Sequence, residues 1–67
     1  LNRPKAKEMM TIKLELADSS RETYNYVISY CMNDKELSML HRDPFNGRQY
    51  YFKVEQEEIL KMEVKDG

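Results

Sequence analysis

The chain has one cysteine, no tryptophan, two glycines and two prolines in 67 residues, and its formal net charge is −1. Each scarcity excludes something. Cys31 has no second cysteine to pair with, so no internal disulfide can form, and the pattern suits a reducing compartment. A cytoplasmic location is the expectation. Cys31 and the only histidine, His41, cannot build a zinc set without several carboxylates. Neither a metal nor another cofactor is expected. Eleven basic residues against twelve acidic ones leave no general positive field for nucleic acid. No apolar run approaches the roughly 18 residues of a membrane span. Arg3, Lys5, Lys7 and Glu8 break up the N-terminal stretch where a signal peptide would need an apolar run.

Length sets the next bound. Sixty-seven residues make one domain at most. A domain this small buries only about 60% of its unfolded surface, so its stability is marginal. Disulfides, metals, oligomerisation or a partner supplement such folds. With the first two excluded, self-association or a protein partner remains. Residues 1–10, with Pro4 among charges, have nothing to bury and read as a disordered arm. Met9 or Met10 could be a native start, or the arm could belong to a longer parent chain.

What the chain does have is alternation. In Arg48–Lys65, Tyr50, Phe52 and Val54 alternate with Tyr51, Lys53 and Glu55. Leu60, Met62 and Val64 then alternate with Lys61, Glu63 and Lys65. A period of two means one face buried and one wet. Thr11–Leu16 repeats the pattern, with Ile12, Leu14 and Leu16 on one side. Glu22–Met32 is a long second strand rich in β-branched and aromatic residues. Tyr24, Tyr26, Ile28, Tyr30 and Met32 take one face, and Val27 and Cys31 the other. Glu36–His41 reads as a third strand with Leu37 and Met39 together, or as a helical turn, since its residues also form helices well.

The connections are short. Asp18–Arg21 and Asn33–Lys35 are polar turns. Asp43-Pro44-Phe45-Asn46-Gly47 is the clearest turn, since proline fixes φ and Asn-Gly tolerates positive φ. Gln56-Glu57-Glu58 makes an acidic corner before the last strand. Five short strands over residues 11–65 fit a meander that must curl to bury its apolar face and hide its edges. The expectation is an all-β domain, a small, strongly bent, five-stranded antiparallel barrel.

A strand, a one-turn acidic corner and a final strand resembles the end of SH3-like and Sm-like barrels. The resemblance implies a 3₁₀ turn at Gln56-Glu57-Glu58-Ile59, with Ile59 plugging the barrel. The opening strand TIKLEL and the acidic corner are also similar in layout to small bacterial Sm-like regulators that bind proteins. The glycine that bends the second strand of Sm proteins is absent here. That absence argues against the ring assembly and RNA reading of Sm proteins.

No enzyme is expected from these residues. The LHRD stretch around His41 lacks the length and the spaced asparagine of a kinase loop. Cys31 and His41 could make a nucleophile–base pair only if the fold joined them. A buried strand cysteine, packing as a small hydrophobe, is the expected reading. Glu55, Glu57 and Glu58 suit a solvated turn better than a carboxylate site, because so small a barrel has no cleft for them. No phosphate-binding glycine loop is present.

The tyrosines point to binding. Tyrosine supplies large contact area at low entropic cost and is enriched at interfaces. If Val27 and Cys31 point inward, Tyr24, Tyr26 and Tyr30 form an exposed stripe. If they point outward, the tyrosines are core. Tyr24, Tyr26, Tyr30, Tyr51 and Arg48 are the candidate partner-binding residues. The expected function is a non-enzymatic protein-binding module, a small regulator or inhibitor. It would act through an aromatic face or an open strand edge on another protein or on a second copy. Two alternatives stand beside it. One is a single-stranded nucleic-acid binder that stacks bases on tyrosines. The other is a structural or oligomerising domain of a larger or phage-like assembly.

Overall fold

The computed structural model describes residues 9–66. Five strands form one antiparallel sheet: β1 (Met10–Leu16), β2 (Arg21–Met32), β3 (Glu36–Arg42), β4 (Gln49–Glu55) and β5 (Ile59–Asp66). Their order is β4-β3-β2-β1-β5. The expected all-β meander is therefore present, with β5 returning beside β1. Residues 1–8 of the expected arm lie outside the described residues, and Met10, assigned to that arm, opens β1. The helical alternative for 36–41 is overturned, because Leu37 and Met39 are needed on one face against the core and only a strand puts them there.

A 3₁₀ turn, Gln56–Glu58, joins β4 to β5 as expected. It also dictates the shape of the sheet. Glu55 pairs with Glu36, near the end of β2, and Ile59 pairs with Leu16, near its start. A straight β2 of 12 residues would hold those points about 36 Å apart. Four chain steps from Glu55 to Ile59 reach at most about 14 Å. β2 must therefore bend sharply. Its first half pairs with β1 and its second half with β3, so the sheet folds over on itself. Two backbone bonds pin the corner. Gln56 N–H donates to Lys35 C=O at 2.9 Å, and Ala17 N–H donates to Glu58 C=O at 2.8 Å. β4 and β5 do not pair among the described residues, so the sheet stays open at its far edges.

The bend is made by bulges, not by glycine. The β1–β2 register slips between Met10↔Val27 and Ile12↔Tyr24, so β2 carries one extra residue there. Tyr26 sits in that bulge with φ +59°. The β2–β3 register slips again between Val27↔His41 and Ser29↔Leu40. An extra residue reverses the alternation of side chains beyond it. Neither expected face of β2 is correct for that reason. Tyr24, Val27, Tyr30 and Met32 share the inner face, opposite Ile12, Met10, Met39 and Leu37 in the ladders. Cys31, expected inside, pairs with Ser38 on the outer face and is exposed.

The same physics displaces Leu60. A bulge between Glu15↔Lys61 and Leu16↔Ile59 leaves Leu60 unpaired and 63% exposed, and Ile59 takes the inward position. The buried core is small: Ile12, Leu14, Leu16, Val27, Leu37 and Met39. Tyr24, Val54, Ile59 and Met62 pack against it while half-buried.

Candidate functional site

The folding-over of β2 brings together rings that are distant in the sheet. Tyr24 on β2 and Phe52 on β4 have β3 between them, yet their centroids lie 5.6 Å apart at a 49° tilt. They meet across the interior. His41 extends the group. Its ring lies 5.8 Å from both Tyr50 and Phe52 and 6.3 Å from Tyr26. These spacings are those of favourable tilted aromatic pairs. The result is a continuous patch of five rings. Tyr24 and His41 are half-buried at its base, and Tyr26, Tyr50 and Phe52 are exposed over it.

His41 is held in a fixed orientation. Its Nδ1 lies 2.8 Å from the Asn25 carbonyl oxygen. A carbonyl only accepts, so Nδ1 carries the proton and donates it. The same bond ties β3 to the residue before the Tyr26 bulge. His41 thus orients the patch, and its register partner Val27 is fully buried beneath. Cys31 lies on the opposite face, so the fold does not join Cys31 to His41.

One carboxylate borders the rings. The Tyr24 hydroxyl donates to Glu22, two residues back along the same face of β2. Burial first, and then the Glu22 bond and charge, push the Tyr24 phenol up to about 12. The phenol is therefore kept neutral and oriented, with a negative charge beside it.

Three of the five residues nominated from sequence contribute to the inner face. Tyr24 and Tyr26 belong to the ring patch. Tyr30 lies farther along that face, opposite Met39, and is exposed. Tyr51 does not join them. It pairs with Leu40 on the outer face and is 71% exposed. Arg48 stands apart as well, in the β3–β4 turn, where its N–H donates to Asn46 Oδ1 at 2.8 Å. Sequence reasoning missed His41, Tyr50 and Phe52 as members. The alternation of Tyr50 and Phe52 is legible, and it marks them as core. Their exposure arises because the sheet does not close over them.

The outer face is of a different kind. Across β2, β1 and β5, Arg21, Glu15 and Lys61 form one row, and Thr23, Lys13 and Glu63 the next. Signs alternate, which makes a solvated, charge-balanced surface. A shallow groove of about 620 Å³ runs over this region. Among the described residues, no three His, Cys, Asp or Glu side chains are grouped to hold a metal ion. No helix among them is long and apolar enough to cross a membrane. Comparison with protein-family models, with curated proteins and with solved structures finds no match for this chain.

Proposed function

We propose that this chain is a non-enzymatic, cytoplasmic protein-binding module, a small regulator or inhibitor, whose contact surface is the ring patch of Tyr26, Tyr50 and Phe52. One observation carries the reading. Tyr26 occupies the left-handed region at φ +59° with its side chain 44% exposed. A bulky residue there is strained by about 1–3 kcal/mol, and glycine would remove the strain. A side chain kept at such a position, yet not used to fill the core, is kept for what it contacts.

The chemistry of the patch favours protein over nucleic acid. Stacked bases bring phosphates with them, and Glu22 stands beside the Tyr24 hydroxyl. A net charge of −1 adds no compensating field. Rigid tyrosines flanked by a half-buried histidine suit an apolar segment of another protein. The strand order, with β5 beside β1 and a 3₁₀ turn before β5, supports a kinship with SH3-like or Sm-like barrels as part of the same proposal.

The test is a capture experiment with wild-type chain and Tyr26→Gly, with and without nuclease. Tyr26→Gly deletes the ring while relaxing the backbone. The expected result is a discrete protein partner that survives nuclease and is lost with the variant, whose melting temperature is kept. Capture that vanishes with nuclease would replace this reading by the nucleic-acid one.

A further inference from the structure

We propose that the free edge of β5 pairs antiparallel with the same edge of a second copy, about a two-fold axis at Met62. This surface is separate from the ring patch and does not depend on it. β5 is an edge strand, so one side of its backbone has no partner among the described residues. An eight-residue edge without proline or glycine is a template for another strand.

The side chains select the occupant. Opposite residues of an antiparallel pair share a face, so the register must match parity. With Met62 facing Met62 of the second copy, Lys61 faces Glu63 of the second copy, and Glu63 faces its Lys61. The two ion pairs are copies of one another by symmetry, as an isologous contact requires. A shift of the axis to Glu63 would set Lys61 against Lys65 and is excluded by charge. The bulge at Leu60 ends the regular alternation there, so the selecting contacts of this register are those from Lys61 to Glu63. Lys65 lies 3.9 Å from Glu63 within the chain, with both side chains more than half exposed, so Glu63 is free to take a second cation.

The β4 edge offers no equivalent. An axis at Lys53 opposes two lysines, and Lys53 already lies 3.7 Å from Glu36. An axis at Val54 would pair Lys53 with Glu55, but β4 ends at Glu55. A six-residue core without disulfide support gives the fold a reason to bury more surface by pairing.

Sedimentation velocity of the full chain over a concentration series tests this directly. The expected result is a monomer–dimer equilibrium that Lys61→Glu and Glu63→Lys each shift at least tenfold toward monomer. An equimolar mixture of those two variants should regain dimer, because an edge bearing two carboxylates then faces an edge bearing two ammonium groups. Each variant also meets a like charge on β1, Glu15 or Lys13, so circular dichroism must show it folded. A second readout keeps the wild-type charges. In a Cys31→Ser background, Met62→Cys should cross-link to a dimer on oxidation, and Val64→Cys should not. A wild-type chain that stays monomeric at millimolar concentration overturns the proposal. So do folded single variants that dimerise like wild type, a mixture that stays monomeric, a Val64 cross-link in place of Met62, or assembly beyond the dimer.

Discussion

Tyr24 and Phe52 stack at 5.6 Å although a whole strand separates them in the sheet. Their contact joins the first half of β2 to β4 and clasps the two halves of the folded-over sheet. Phe52 is partly exposed, so its truncation loses less than that of a fully buried phenylalanine. Phe52→Ala should destabilise by about 2–3 kcal/mol, below the roughly 3–5 expected of a closed core. Urea unfolding followed by circular dichroism measures it. A change under about 0.5 kcal/mol would mean the clasp is not formed.

The Tyr24 phenol gives a pH signature. Its folded value is raised from 10.0 to about 12, with burial as the larger cause and Glu22 next. The protonated form is therefore favoured in the folded state. The stability it contributes is fully present below pH 10 and is lost as pH rises from 10 toward 12. Tyr24→Phe should remove this part of the alkaline transition. Absorbance titration of the phenolate band, wild type minus variant, should show one phenolate forming well above pH 10. A difference curve centred at the ordinary tyrosine value would contradict the packing described.

Tyr26 offers a backbone test independent of any partner. At φ +59° glycine is unstrained and alanine is not. Tyr26→Gly should be more stable than Tyr26→Ala by about 1 kcal/mol, reversing the order normal for a strand. Thermal melts of both variants decide it. If alanine is the more stable, the bulge does not place residue 26 in the left-handed region.

Asp18 marks the acid side. Its carboxylate accepts from Ser20 Oγ at 2.6 Å and from Ser20 N–H at 3.0 Å, and these bonds hold its pKa below 3.8. The stabilisation is present above pH 3.8 and is lost as pH falls through the lowered value. Ser20→Ala should raise the Asp18 pKa toward 3.8, read by NMR titration of the side-chain carboxyl carbon. An unchanged value would show that Ser20 is not the cause.

Cys31 is exposed on the outer face of β2. A thiol reagent should modify it fully in the native protein, without denaturant and without loss of the β-sheet spectrum. Modification that requires unfolding would restore the buried position read from sequence.

Much of this molecule is written in local pattern. The alternation in Thr11–Leu16 places Ile12, Leu14 and Leu16 inside, and all three are. The β3–β4 turn follows from Asp43, whose Oδ1 accepts from Phe45 N–H at 2.7 Å, and from Gly47 at φ +76°. The 3₁₀ corner at Gln56–Glu58 is equally legible. The alternation along an unbulged strand, a turn and a short connector are set by neighbours within a few residues, and the sequence by itself determines them.

Tertiary structure decided the parity of β2 and β5. A bulge adds one residue to one strand of a pair, and nothing in the residues around Tyr26 or Leu60 announces it. Only the demand that three residues span from Glu55 to Ile59 forces β2 to bend, and the bend forces the bulges. Those bulges turned Cys31 and Leu60 outward and, with the folding-over of β2, gathered Tyr24, Tyr26, His41, Tyr50 and Phe52 into one patch. Alternation is a property of the single strand; which residues it turns inward is a property of the whole circuit of strands.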